Sequence, residues 1–179
     1  MQAIDDGHNR GTKRVADTPP QPSSGPPAQH IASCHCGKFQ AKLLVPIQEQ
    51  EVKEDNCSSC VRNANVGVYP AKDQVRIRGR EHAVEYLHGR KYRSGSHCGT
   101  RGVSVFGTQY GPPLRVFDSV PPERLEHVMS VYHKDMNMSP LNVRAIKGLD
   151  LASIQINGSE GCSASTMDNH ISRTTGCKR

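Results

Sequence analysis

The cysteines constrain the fold of this chain more than any other feature of its sequence. Seven are present, and five of them fall in three short turns: CHCG at 34–37, CSSC at 57–60 and HCGTRG at 97–102. Zinc prefers thiolate and imidazole ligands, and two ligands on one tight turn converge on an ion at little cost in chain entropy. Gly37 and Gly99 each follow a cysteine, as expected in turns that exclude a Cβ atom. The pattern therefore favours a zinc-binding domain over a set of unbound thiols.

The cellular compartment expected from the sequence favours a role for the cysteines as metal ligands rather than in disulfides. The first residues are polar and lack the apolar run of a secretory signal, and no stretch approaches the roughly 20 apolar residues that cross a bilayer. We therefore expect a cytoplasmic protein with no membrane partner. Clustered cysteines in a reducing compartment are more often metal ligands or reactive thiols than disulfides. An odd number of cysteines also cannot all pair within one chain.

Composition predicts a thin hydrophobic core, because hydrophobic residues make up 35% of the chain, aromatic residues make up 4%, and Trp is absent. A metal cross-link adds most to the stability of such a domain. The net charge is +6, but the basic residues are scattered and are not interleaved with aromatic ones, so we expect no nucleic-acid partner. A mildly basic surface would suit small anionic substrates.

Three segments are predicted along the chain. Residues 1–29 are expected to be a disordered tail, because their stretch TPPQPSSGPP can form neither a helix nor a central strand and carries little to bury. Residues 30–156 are expected to form the zinc-binding domain. Residues 157–179 are rich in Ser, Thr and Gly and are expected to be a flexible tail, in which Cys162 and Cys177 are not ligands.

The domain is predicted to be mainly β, with small antiparallel sheets and one helix. Apolar and polar residues alternate over 39–44 and over 75–78, and a short apolar run at 103–106 lies between two glycines, which predicts three short strands. After Pro121 and Pro122, apolar residues recur at helical spacing and predict a helix that packs on the core. These residues are Leu125, Val128, Met129 and Tyr132.

Other segments lie in a fixed order between and after the cysteine turns. They are VYP at 68–70, the basic strand at 74–79, Tyr86, FG at 106–107, NVR at 142–144 and GLD at 148–150. Together with the cysteine turns, this ordered set resembles the glutathione-dependent formaldehyde-activating enzyme and centromere protein V family. The resemblance covers the chain from about residue 30 to about residue 154. It implies a β-tent of small antiparallel sheets around one or two zinc ions.

The resemblance implies a structural zinc site with four ligand positions. Three of them are cysteines here, namely Cys34, Cys36 and Cys98. The fourth position falls on Arg101, which cannot bind zinc. A water, His35 or His97 could complete the site. Alternatively, the Arg101 guanidinium could lie against the thiolates and replace part of the charge of the missing cation without any metal.

The resemblance also implies a catalytic zinc site with three cysteines and one open position. Two of these positions are Cys57 and Cys60 here, and the first falls on Asp55. A carboxylate oxygen can bind zinc and carries the same formal charge as a thiolate. It donates less charge, so the ion would be more Lewis-acidic. Asp55 could equally be a solvated loop residue beside Glu54.

The activity that the resemblance implies is that of a carbon–sulfur lyase, which combines glutathione and formaldehyde to S-hydroxymethylglutathione. The altered ligand positions favour a different small-molecule substrate, a thiol or carbonyl compound, with Asp55, Cys57 and Cys60 as the catalytic metal site. Arg101 and His97 are candidate substrate-binding residues, and the acid–base role is open.

Other functions stay open at this point. His35, His88 and His97 are all candidate acid–base groups because they lie near the cysteine turns. A non-catalytic zinc module that binds a partner protein would explain the altered ligands. A cysteine-nucleophile enzyme would use His97 and Cys98, although adjacent residues rarely bring their side chains into hydrogen-bond contact. A nucleic-acid-binding zinc ribbon would need a second Cys-x-x-Cys, which is broken at Arg101.

Overall fold

The computed structural model describes residues 30–159. The segments 1–29 and 160–179, with Cys162 and Cys177, lie outside the described residues. The last strand runs from Ile156 to Ser159, so regular structure continues past the expected domain boundary at 156.

Strands dominate the described part of the chain. In chain order they are β1 His30–Ser33, β2 Gln40–Leu43, β3 Val52–Asp55, β4 Val66–Val68, β5 Val75–Arg78, β6 Ala83–His88, β7 Arg93–Cys98, β8 Ser104–Gln109, β9 Leu141–Asn142 and β10 Ile156–Ser159. The α-helices are α1 Ser58–Arg62 and α2 Pro122–Met136. Short 3-10 helices occupy Ile47–Glu49, Lys72–Gln74, Arg80–His82, Leu114–Ser119, Val143–Ala145 and Leu151–Ser153.

The strands form two sheets, and the mainly β prediction is confirmed. Three of them form an antiparallel sheet in the order β1-β2-β5. The other seven follow the order β10-β3-β4-β9-β8-β7-β6. In this larger sheet β10 pairs with β3 in parallel, and the remaining pairs are antiparallel. The strands predicted at 39–44, 75–78 and 103–106 are found as β2, β5 and β8.

Alternation along the strands builds the main core between the two sheets. In the smaller sheet, Ala41 lies opposite Ala32 on one side and Ile77 on the other, so small and branched apolar side chains share one face. The rings of Phe39 and Phe106 join the sheets edge to face, with their centroids 5.9 Å apart. Cys34 and Cys98 belong to the same buried cluster. The core itself therefore positions two of the candidate metal ligands.

Gly79 ends β5 and lets two segments approach closely. Its φ is +73°, and a Cβ atom at this position would lie 1.7 Å from the carbonyl oxygen of Lys38. Only glycine satisfies both conditions. The backbone that follows the first cysteine turn is therefore packed directly on the turn after β5.

The predicted helix is confirmed as α2, which begins with Pro122 in its first turn. Val128 is fully buried in a small second core, and the Tyr132 ring contacts Phe117 edge to face at 5.1 Å. Leu125, which was expected on the buried face, is 38% exposed, because this short core covers only the later turns of the helix. Within residues 30–159, none of the helices has both the length and the apolar character that a membrane span requires.

Candidate metal centre

The cysteines of the first and third turns meet in space. Cys34 directly follows β1, Cys36 lies in the next turn, and Cys98 is the last residue of β7. The Sγ atoms of Cys34 and Cys36 are 3.3 Å apart, and those of Cys36 and Cys98 are 3.6 Å apart. A tetrahedral ion with metal–sulfur bonds of about 2.3 Å holds its sulfur atoms about 3.8 Å apart. The observed spacing is thus close to that of a metal centre and far from the disulfide bond length of about 2.05 Å.

Backbone amides surround these three sulfur atoms. The amide of Phe39 donates to Cys34 Sγ at 3.3 Å, and the amide of Lys38 donates to the Cys36 sulfur. The turn after β7 does the same for Cys98, because Gly102 N donates to the Cys98 carbonyl at 2.8 Å and folds the intervening amides back onto the sulfur. Amides that point at sulfur stabilise thiolates, which are the form that binds metals.

The protonation of the thiols reflects these amides. Burial raises the pKa of Cys98, but the amides of Thr100 and Arg101 and the neighbouring thiols outweigh burial and lower this pKa to about 7. The Lys38 amide lowers the pKa of Cys36, but the hydrogen bond with Cys34 and burial outweigh it, so this pKa is raised. Cys98 is therefore partly ionised at neutral pH, whereas Cys36 keeps its proton. Such a cluster can release protons when it binds a cation.

Within the described residues, the fourth ligand position has no side-chain ligand. Within residues 30–159, the group of His, Cys, Asp or Glu ligand atoms that all lie within 4.8 Å of one another contains Cys34, Cys36 and Cys98. His35 and His97 do not join it. Arg101 is exposed and contributes its backbone amide to the Cys98 sulfur. Cys34 and Cys98 are each 2% exposed, so a bound ion would be open to solvent or a further ligand on the side of the half-buried Cys36.

Asp55, Cys57 and Cys60 form a second, looser group. Asp55 ends β3, Cys57 caps the N-terminus of α1, and the Cys60 amide donates to Cys57 Sγ at 3.3 Å. Cys60 Sγ lies 4.0 Å from Asp55 Oδ2. The three ligand atoms do not all lie within 4.8 Å of one another, so this group is less closed than the first. Burial, the hydrogen bond with Cys57 and the charges of Cys57 and Asp55 raise the pKa of Cys60 to about 12.

Tyr69 completes this second group, and sequence reasoning gave it no role. Its hydroxyl donates to Asp55 Oδ2 at 3.3 Å, and burial together with the negative charge of Asp55 raises its pKa. A Cβ atom at Gly67 would lie 3.2 Å from the Tyr69 hydroxyl, so the glycine leaves room for the ring across β4. The other oxygen of Asp55, Oδ1, is buried and has no hydrogen-bond partner among the described residues. The segment VYP at 68–70 was the signal that could have pointed to Tyr69.

The rings of His97 and His88 do not contact the thiol cluster. The His97 ring lies over Gly95, with Nδ1 at 3.1 Å from the Gly95 carbonyl and Nε2 at 3.3 Å from Asn63 Oδ1. It therefore extends toward the end of α1 rather than toward Cys98, so the geometry gives no support to a cysteine–histidine nucleophile. His88 is five residues along β6 from the partner of Cys98, about 17 Å at the usual rise per residue. Burial and the charge of Arg93 lower the pKa of His88.

The comparisons with known proteins add no function. No protein-family model matches this sequence, and no curated protein matches it. Among solved structures, the chain is similar to a Rhodobacter sphaeroides protein from a structural-genomics programme, with 16% identity and a TM-score of 0.49. The match covers 72% of this chain and 99% of that protein. At this level of similarity, function has to be argued from the chain's own residues.

Proposed function

We propose that this chain is a zinc-dependent small-molecule enzyme of the carbon–sulfur lyase type. In this proposal Cys34, Cys36 and Cys98 hold a structural ion. Asp55, Cys57 and Cys60 hold the ion that takes part in the reaction. The thiol cluster, the order of the cysteine turns and the resemblance to the formaldehyde-activating enzyme family support the proposal.

One observation carries the catalytic part, namely the buried Asp55 Oδ1 atom without a hydrogen-bond partner. A buried carboxylate oxygen left unpaired costs about 1–3 kcal/mol or more, and such atoms usually have a function or a missing ligand. Here the unpaired oxygen belongs to a residue whose other oxygen, Oδ2, lies 4.0 Å from the Cys60 sulfur, and the Cys60 amide in turn donates to the Cys57 sulfur. A cation bound by this oxygen and the two sulfurs would remove the penalty, and this donor set suits zinc.

The reaction that fits this group joins a thiol to a carbonyl carbon. The carbon–sulfur bond forms, the carbonyl double bond becomes a single bond, and the thiol proton moves to the oxygen. A bound zinc ion supplies Lewis acidity to such a reaction. Tyr69 holds Asp55 through its hydroxyl, and its raised pKa keeps it protonated near neutral pH. Tyr69 is thus a fixed hydrogen-bond donor that orients Asp55 in the ligand group, while His97 borders the same region through Asn63.

The experiment is elemental analysis of zinc in the untagged full chain and in single variants. We expect about two zinc ions per chain in the native protein, because each group of three ligands suits one ion. Asp55→Ala should lose one ion and keep the other, and Cys98→Ala should lose the other. Glu54→Ala is the matched control, since Glu54 is an exposed neighbouring acid that pairs with Arg144 at 3.1 Å and is not a ligand. The same samples are then assayed for consumption of formaldehyde in the presence of small thiols.

A non-catalytic zinc module that binds a partner protein is the second candidate. The observation that favours it is that only the cysteine cluster of Cys34, Cys36 and Cys98 brings three ligand atoms within 4.8 Å among the described residues. It predicts about one zinc ion per chain, lost in Cys98→Ala and retained in Asp55→Ala. That result, together with no loss of formaldehyde, would contradict the enzyme and support the module. No zinc in any sample would contradict both.

A further inference from the structure

A groove between the two sheets lies outside both groups of candidate metal ligands. Its volume is about 270 Å³. One wall is β5, the edge strand of the smaller sheet, and the other is β8 of the larger sheet. Apolar side chains form the walls, namely Val75, Ile77, Phe106 and Met138. Small-molecule sites in proteins are concave, mostly apolar and usually at least about 300 Å³, so this groove lies just below the usual range and suits a ligand of about a dozen heavy atoms or fewer.

Two basic side chains line the groove, and no acidic residue does. The Arg80 guanidinium lies 4.8 Å from the centre of the Phe106 ring, and its Nη1 atom is 3.7 Å from Glu85 Oε1. Stacking on the ring and the ion pair together fix the orientation of the guanidinium before any ligand arrives. Lys72 is exposed and adds a second positive charge. Glu85 also accepts from Thr108 at 3.3 Å and compensates part of the Arg80 charge, so Lys72 and the guanidinium N–H groups turned away from Glu85 would attract an anionic group to this groove.

A buried amide supplies a second, independent indication of a ligand. Gln109 lines the groove and is only 8% exposed, and its Oε1 atom has no hydrogen-bond partner in the described part of the chain. Buried side-chain carbonyl oxygens are almost always paired, and leaving one unpaired costs free energy. This oxygen has almost no accessible surface, so Gln109 has to turn toward the groove before a ligand N–H or O–H group can pair it.

We propose that this groove is a binding site for a small organic anion. The ligand has an apolar ring or short chain that contacts Phe106, a carboxylate or phosphate held by Arg80 and Lys72, and a donor group held by Gln109. Each element of this ligand matches one feature of the groove, and none of them involves a metal. The site is therefore independent of the proposed zinc chemistry.

The test uses three probes that differ by one group each. Para-hydroxybenzoate has the ring, the anion and the donor, benzoate lacks the donor, and phenol lacks the anion. Backbone amide signals of the nitrogen-15-labelled full chain are followed as each probe is added. We expect shifts at 106–109 with a dissociation constant of about 1 mM or tighter for para-hydroxybenzoate, weaker binding of benzoate, and the weakest binding of phenol.

Single variants distinguish specific binding in the groove from general attraction of an anion to a basic protein. Lys72→Gln should weaken para-hydroxybenzoate binding about fivefold, the typical effect of one exposed charge. Arg76→Gln removes an equally exposed charge from β5 outside the groove and should leave binding unchanged. Gln109→Leu should lower the affinity for para-hydroxybenzoate to that for benzoate, and it should leave the affinity for benzoate unchanged.

Two results would overturn the proposal. One is that no probe shifts the signals at 106–109 at about 10 mM, a concentration that saturates a millimolar site. The other is that Arg76→Gln weakens binding as much as Lys72→Gln, which would show attraction to net charge alone. The zinc content of the protein does not enter either result, so failure here leaves the proposed enzyme function to be judged separately.

Discussion

Removing Cys98 is expected to destabilise the domain in two separable steps. The first step is independent of metal. Cys98 is 2% exposed and packs in the main core, so Cys98→Ala should cost about 1 kcal/mol even in the metal-free protein. The second step is the loss of metal binding, and it exists only when metal is present.

The size of the second step follows from linkage. A ligand at a free concentration 100 times its dissociation constant stabilises the folded state by about 2.7 kcal/mol. For a domain of about 130 residues, each kcal/mol changes the melting temperature by about 3–5 °C. An ion at the thiol cluster should therefore raise the melting temperature of the native protein by about 8–13 °C. This contribution should be absent in Cys98→Ala, where only an ion held by Asp55, Cys57 and Cys60 can still act. The sulfur atoms already lie 3.3 and 3.6 Å apart, so metal binding requires little rearrangement that would reduce this gain.

The assay is thermal unfolding followed by circular dichroism, with zinc and with a chelator, on the native protein, Cys98→Ala and Cys57→Ala. Cys57→Ala is the matched control, because it removes a half-buried thiol outside the cluster. It should keep the shift that comes from the thiol cluster and lose only the contribution of an ion held by Asp55, Cys57 and Cys60. An equal melting temperature of the native protein with zinc and with chelator would refute the argument that Cys34, Cys36 and Cys98 form a metal centre. A shift retained in Cys98→Ala but lost in Cys57→Ala would assign the stabilising ion to the other group.

Two further outcomes test the pKa of Cys60 and the backbone at Gly79. The pKa of Cys60 is raised to about 12, so the rate of its alkylation in chelator-treated protein should increase about tenfold per pH unit from about pH 7 to about pH 10. Mass spectrometry follows the alkylation. A rate that reaches a plateau near the usual thiol pKa of about 8.5 would contradict the prediction. The same raised pKa means that the unfolded state loses this proton first, so the free energy of unfolding should fall as pH rises from about 8.5, the usual thiol pKa, toward about 12. Gly79→Ala should cost more than about 3 kcal/mol in urea unfolding, since its Cβ would lie 1.7 Å from the Lys38 carbonyl oxygen. Gly102→Ala, with φ +67° but open space around it, should cost only about 1 kcal/mol, and equal losses would refute the steric argument.

Local patterns predicted the elements of this fold well. Alternation at 75–78 identified β5, and helical spacing after Pro121 identified α2, because both patterns depend on neighbours in the sequence. The grouping of Cys34, Cys36 and Cys98 came from the family resemblance, and the structure brings these three sulfur atoms together. The parallel pairing of β10 with β3 was missed, because it joins residues about a hundred positions apart and leaves no local periodicity.

Contacts between distant segments also account for the site residues that the sequence did not reveal. Tyr69 reaches Asp55 across β4 only because Gly67 lies beneath its ring. Sequence spacing placed Asp55 near Cys57 and Cys60, but the distances depend on how β3 meets α1. The groove at Gln109 exists only where the edge of one sheet crosses the face of the other, which no single segment encodes.

The two candidate metal groups are connected through the end of β7. Cys98 faces the core and the thiol cluster, whereas the ring of its neighbour His97 extends over Gly95 to Asn63, just beyond α1. Successive residues of a strand point to opposite faces, so any change that moves the Cys98 turn also moves His97. Asn63 in turn donates to Ser59, within the helix that carries Cys60. A path of neighbouring contacts thus runs from the residue beside Cys98 to the helix that carries Cys60.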